Sequence, residues 1–184
     1  MAGAGSGSFS STAKWLHWLV ALSVLIIIPV GIAMNGVDPG PVQDSLYNLH
    51  KSLGVLIFIL MMLRIANRLA VGAPPPEPGL PAWQHWASST VHWLLYILLL
   101  VMPIIGYVAN SAFGATTPFF GLFELPPIVA KNEALSERLF NLHMLLGFVV
   151  AALAIIHIGA ALQHAVLLRD KVLQRMLPRA LGGN

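Results

Sequence analysis

The chain has 184 residues, 57% hydrophobic and only 9% charged. A soluble domain carries about 25% charge, so this is the composition of an integral membrane protein. Ten Lys and Arg against seven Asp and Glu leave a formal charge of +3, and the basic residues mostly flank apolar stretches, which gives nucleic-acid binding no support. The absence of cysteine excludes disulfides, thiolate-held zinc, thiolate-ligated iron–sulfur clusters and the C-x-x-C-H attachment of c-type haem. Any haem must therefore be held non-covalently, as b-type. Neither a phosphate-binding loop nor a dinucleotide fingerprint is present.

Residues 1–12 are rich in Gly, Ser and Ala and read as a flexible lead. The first span covers 13–34. It is too long for a signal-peptide core and carries His17 between Trp15 and Trp18 at its mouth, so it is expected to be retained. A turn-rich loop follows at 35–41, then a second span over 44–69 that ends in Arg64 and Arg68. Prolines at 74, 75, 76 and 78 make a stiff connector to the third span, 84–109. Residues 110–135 form the longest connection, with Phe119, Phe120 and Phe123 expected at the membrane interface, and the fourth span runs over 137–168. Pro29 and Pro103 fall inside spans, where bilayer helices tolerate them with kinks. The tail, 169–184, is basic. No internal repeat or second domain is visible, so the predicted fold is all-α: a four-helix integral membrane bundle over 13–168.

Four spans put both termini on one side. That side holds Lys14, Arg64, Arg68, Arg169, Lys171, Arg175 and Arg179, and the other holds Lys51, Lys131 and Arg138. The excess places both termini, and the tail, in the cytoplasm.

The histidines carry the chemistry. His143 and His157 stand fourteen positions apart in one apolar stretch. At about 100° and 1.5 Å per residue they share a helix face and lie roughly 21 Å apart, most of a ~30 Å hydrocarbon layer. His17 lies near the cytoplasmic start of the first span and His50 near the outer start of the second. Matching depths pairs His17 with His157 (inner) and His50 with His143 (outer). Two imidazoles per site suit low-spin haem and electron transfer, because no iron position stays open. Ionisable groups at membrane depth are rare and usually functional.

Other residues read less sharply. Gly54 and Gly147 follow His50 and His143 by four, and Gly31 follows His17 by fourteen. They either admit a flat macrocycle or serve close helix packing. His164, seven beyond His157, can hydrogen-bond a quinone carbonyl and pass protons, or is simply interfacial. Arg64, fourteen beyond His50, faces the bundle at inner-site depth and either pairs with a haem propionate or snorkels. His92 reads as a neighbour of the inner site or the quinone, and His85 as an interfacial residue. Trp15, Trp18, Trp83, Trp86 and Trp93 read as an aromatic belt.

These residues resemble the bacterial four-helix di-haem cytochrome b561 family, most of all its superoxide-oxidising members. The matching stretches are His17-Trp18-Leu19, Asn48-Leu49-His50-Lys51-Ser52-Leu53-Gly54, Leu63-Arg64 with Arg68, and His92 and Tyr96 through Pro103-Ile104-Ile105-Gly106. The fourth span adds His143, Gly147, His157, Ala160-Ala161-Leu162 and His164, followed by Leu173-Gln174-Arg175-Met176-Leu177-Pro178-Arg179.

The resemblance implies two haem b groups, held by His17/His157 and His50/His143, with His164 contacting ubiquinone as electron acceptor in a bacterial inner membrane. It also implies an oxidoreductase that takes electrons from superoxide at the outer face. Lys51 beside His50 is then the candidate catalytic cation, with Lys131 and Arg138 the other positive groups on that side. The same design also serves as the membrane anchor of larger enzymes, in which a partner redox protein donates the electrons. The short outer loops leave little docking surface for such a partner beyond 110–135.

Overall fold

The computed structural model describes residues 7–75, 79–178 and 180. Residues 1–6 of the expected lead, part of the proline connector and the last residues of the basic tail lie outside the described residues. Four helices dominate: α1 (Ser11–Ala33), α2 (Pro41–Val71), α3 (Ala82–Phe113) and α4 (Glu133–Gln163). Each is long and apolar enough to cross a membrane. All four begin a few residues earlier than the sequence pattern suggests, because their starts are set by local chemistry rather than by hydropathy. Ser10 caps α1 by accepting from the Ala13 N–H at 3.2 Å, Pro41 occupies the first position of α2, and Asn132 caps α4 through Leu135 N–H at 3.0 Å. Pro29 and Pro103 lie within unbroken α1 and α3.

The bundle is apolar outside as well as inside. Its small core gathers Val20 and Val24 from α1, Ile57, Leu60 and Met61 from α2, and Val150 from α4. Large side chains such as Leu69, Trp86 and Ile155 are mostly exposed. A lipid solvent makes that arrangement stable, since helices satisfy their own backbone and need no polar exterior.

The two ends of the bundle differ. At one end the segment before α1 meets the segment after α4: Phe9 N–H and Ser8 O–H both donate to the Arg175 carbonyl, at 3.4 and 3.1 Å. Arg175 in turn donates to the Gly7 carbonyl and, at 2.5 Å, to that of Pro75. At the other end the long connection contains strands that the sequence pattern does not predict. β1 (Thr117–Phe119) and β2 (Phe123–Leu125) form an antiparallel hairpin, with Thr117 opposite Leu125 and Phe119 opposite Phe123. Its turn has positive φ at both Phe120 (49°) and Gly121 (71°). Glycine adopts this freely and phenylalanine does so only at a cost. The aromatic rings of Phe119 stack near those of Phe120 and Phe123, 5.1 and 5.0 Å away.

Buried Ser52 of α2 holds that turn, accepting from the Phe120 N–H at 2.9 Å while lying 2.8 Å from the Asn48 carbonyl and 3.1 Å from that of Pro118. Ser52→Ala leaves the Phe120 N–H without its partner, which costs about 1–3 kcal/mol. We expect a lower thermal midpoint in detergent and faster amide exchange at Phe120. Unchanged exchange there would mean that Ser52 does not hold the turn.

Candidate functional site

Histidines from different helices meet at two levels. At the hairpin end the His50 ring of α2 and the His143 ring of α4 have centroids 6.0 Å apart and planes at 72°. At the terminal end His17 of α1 and His157 of α4 repeat this, at 6.0 Å and 73°. Along α4 the two levels are separated by four helical turns, roughly 21 Å.

A metal ion shared by two imidazoles lies about 2.0–2.1 Å from each nitrogen, which sets the ring centres roughly 6 Å apart. Both pairs have this spacing. Among the described residues no group of three or more His, Cys, Asp or Glu is placed to hold a bare metal ion. Two facing imidazoles supply only two axial positions. The metal that suits them brings its remaining ligands with it, as haem iron does.

The surroundings of each ring fit that role. A Cβ built on Gly31 of α1 would stand 2.9 Å from His50 Cε1, and one on Gly106 of α3 would stand 3.0 Å from His143 Cε1. These glycines clear space for the rings themselves. The carbonyls of Ile27 and Met102, one turn before each glycine, face the same two rings. Neither Nδ1 has a hydrogen bond of good geometry, although both are buried. A backbone carbonyl beside Nδ1 favours the tautomer that leaves the other nitrogen bare for a metal. Gly54 has open space where a Cβ would be, and Gly147 would meet only Met102 Cε at 3.8 Å. Of the three glycines singled out in the sequence, Gly31 thus sits against an imidazole rather than open space. Gly106 carries the same function on α3, and its signal was its place fourteen beyond His92.

The terminal-end pair has polar neighbours. Arg64 Nη1 lies 2.8 Å from His17 Nδ1, and its Nε donates to the Tyr96 hydroxyl at 2.9 Å, with the guanidinium 5.2 Å from the Tyr96 ring centre. His92 packs edge-on to His157 at 5.1 Å and lies 3.3 Å from Ser88 Oγ. Trp18 stands edge-on to His17 at 5.5 Å and donates its indole N–H to the Met176 carbonyl at 3.0 Å. This Trp is tied to the tail, whereas Trp15, Trp83, Trp86 and Trp93 are largely exposed on the surface.

The remaining candidates lie further out. Lys51, next to His50, is half-buried and within electrostatic reach of Glu124 on β2. Lys131 pairs loosely with Glu133 at 3.6 Å, both exposed, and Arg138 is exposed in the second turn of α4. His85 lies in the first turn of α3, half-buried between exposed Trp83 and Trp86. His164 follows directly on α4, with its Nδ1 2.5 Å from the Asp170 carboxylate, a partner that the sequence pattern did not reveal.

Comparison with known proteins shows the family. The family model of the prokaryotic cytochrome b561 matches residues 8–179. "Cytochrome b561 homolog 1" of Escherichia coli (strain K12) is 33% identical over 175 residues, 93% of this chain and 97% of the relative. "Probable superoxide oxidase CybB" of Yersinia pestis is 33% identical over 167 residues, 91% and 94% of the two chains. "Cytochrome b562" of Cereibacter sphaeroides is 27% identical over 173 residues, 88% and 90%. The class is thus a transmembrane haem b electron carrier. The chain belongs to the prokaryotic cytochrome b561 family.

A methyl group at Gly31 or Gly106 must displace the ring it meets. We expect Gly31→Ala and Gly106→Ala each to lose or shift part of the reduced haem b absorption, while Gly159→Ala, which has open space at its Cβ, leaves it alone. Identical spectra for all three would contradict this packing.

Proposed function

We propose that this chain is a superoxide:quinone oxidoreductase, with two haem b groups bound between its helices. His50 and His143 hold one near the outer face, and His17 and His157 hold the other near the cytoplasmic face. The equal 6.0 Å ring separation in two pairs at two depths is the observation that carries this reading. The excess of Lys and Arg at the terminal end supports cytoplasmic termini in a bacterial inner membrane.

Bound haem supplies one-electron redox chemistry. The chain's own residues supply the rest. His50 and His143 would hold the outer group between them and keep superoxide from bonding to its metal, so the electron would pass without a new bond. Lys51 offers positive charge beside His50 for the incoming anion, and Glu124 limits that attraction. Arg64 sets a fixed positive charge against His17, which favours the reduced form of a metal held there. His164, two turns beyond His157, hydrogen-bonds a quinone carbonyl and gives it protons. The balance is two superoxide, one quinone and two protons in, two dioxygen and one quinol out. The name of the Yersinia pestis relative favours superoxide as donor over a partner redox protein.

Stopped-flow mixing of the purified chain with superoxide is the test. We expect the haems to be reduced, and then reoxidised when ubiquinone is added. Haems inert to superoxide but reduced by a partner protein would instead support an anchor or relay subunit. His157→Ala should cut haem from two per chain to one, sparing the His50/His143 site. Equal loss at both sites in a variant that still folds would contradict independent pairs.

A further inference from the structure

Where α4 ends, the backbone leaves α-helical geometry twice. Over His164–Leu168 the helix widens into a π turn, and Arg169 then takes a left-handed conformation at φ 54°. π turns cluster at functional positions, and a left-handed non-glycine residue costs on the order of 1–3 kcal/mol. On a continuing α-helix, residues six apart point about 120° away from each other and lie roughly 9 Å apart along the axis. Here the two departures fold the chain back so that Asp170 returns to His164.

The carboxylate is held firmly. Asp170 Oδ2 lies 2.5 Å from His164 Nδ1, Oδ1 accepts the Val172 N–H at 3.0 Å, and the Asp170 N–H donates to the His164 carbonyl at 3.2 Å. The two side chains are 15% and 23% exposed. Val166 and Leu167 between them are largely exposed and apolar. The couple therefore stands at the boundary where a lipid-dissolved molecule and cytoplasmic water can both arrive. Neither imidazole pair contacts it.

We infer that Asp170 is a positioning residue for proton delivery to the quinone. This rests on the quinone reading of His164 given above. Asp170 engages Nδ1–H and so makes Nε2 the atom that faces the substrate. The proton-giving state of His164 is the imidazolium, and the carboxylate at 2.5 Å neutralises it in a partly buried place. When the Nε2 proton passes to a quinone oxygen, the neutral ring still donates from Nδ1 to Asp170, so it does not rotate. Water at the cytoplasmic end then returns a proton to Nε2. Two such cycles, with the two electrons taken from two superoxide, convert one quinone to one quinol.

The test uses the full-length, haem-loaded protein. In 15N-histidine-labelled wild type we expect a far-downfield Nδ1–H proton from His164, absent in Asp170→Asn. We expect Asp170→Asn to lower the kcat of haem reoxidation by ubiquinone about tenfold or more. KM should be unchanged, Asp170→Glu should retain most of the rate, and a small weak acid such as formate should restore the rate of the asparagine variant. An unchanged kcat overturns the proposal, and so does a fall accompanied by raised KM that no weak acid restores, because that marks a purely structural role. Should Asp170→Asn fail to assemble, Asp170→Ser keeps an acceptor for the Val172 N–H and takes its place. If wild type shows the downfield proton but never passes electrons to ubiquinone, the quinone reading itself has failed, and the proposal with it.

Discussion

Two imidazoles on separate helices can share one metal only if their helices hold them on opposite sides of one point at a fixed spacing. In this bundle that demand is met twice, at 6.0 Å each time. Much of the architecture follows from doing so at two depths with four helices. A spacing of fourteen residues returns a helix to nearly the same face after four turns. Every helix uses it: His17 and Gly31 on α1, His50 and Arg64 on α2, His92 and Gly106 on α3, His143 and His157 on α4. Each level thus takes one contribution from each helix. Two of these are imidazoles in a facing pair. At the hairpin end the other two are glycines that make room for rings, and at the terminal end they are Arg64 and His92.

The two levels are built differently. At the hairpin end, glycine and backbone carbonyls surround the rings, and a hairpin pinned by Ser52 lies over that end of α2. The contacts nearest these rings are apolar, and the charges at this level, Lys51 and Glu124, lie beside them. At the terminal end, a guanidinium, a phenol and a third imidazole gather around the pair. Beyond them the segments before α1 and after α4 are tied together through Arg175. A charged cluster is costly in a membrane unless it does chemistry. Its concentration at one level sets a polarity along the bundle axis, with the His164–Asp170 pair at the same end.

Much of this was legible in the sequence. Four long apolar stretches define the spans because lipid requires every backbone group to be satisfied within a helix. The histidine spacing predicts the two pairs that the structure brings together, since helix geometry converts residue count directly into depth and angle. What stayed hidden depends on backbone departures from regular helix. The hairpin at 117–125 rests on a phenylalanine in a left-handed turn, which no turn signal predicts at that residue. Asp170 reaches His164 only because a π turn and Arg169 bend the chain, so helical spacing gives no hint of the contact. The partners of Gly31 and Gly106 were equally hidden, because a small residue admits whatever approaches it, and the sequence alone does not say whether that is a macrocycle, a helix or a ring.

We propose that each imidazole pair shares one iron. Haem quantification combined with electron paramagnetic resonance on the oxidised, purified chain tests it most directly. Ring planes at 72° and 73° predict two haem b per chain, both low-spin, with the strongly anisotropic signals of nearly perpendicular axial imidazoles. A single haem, or a high-spin iron with an open axial position, would contradict it.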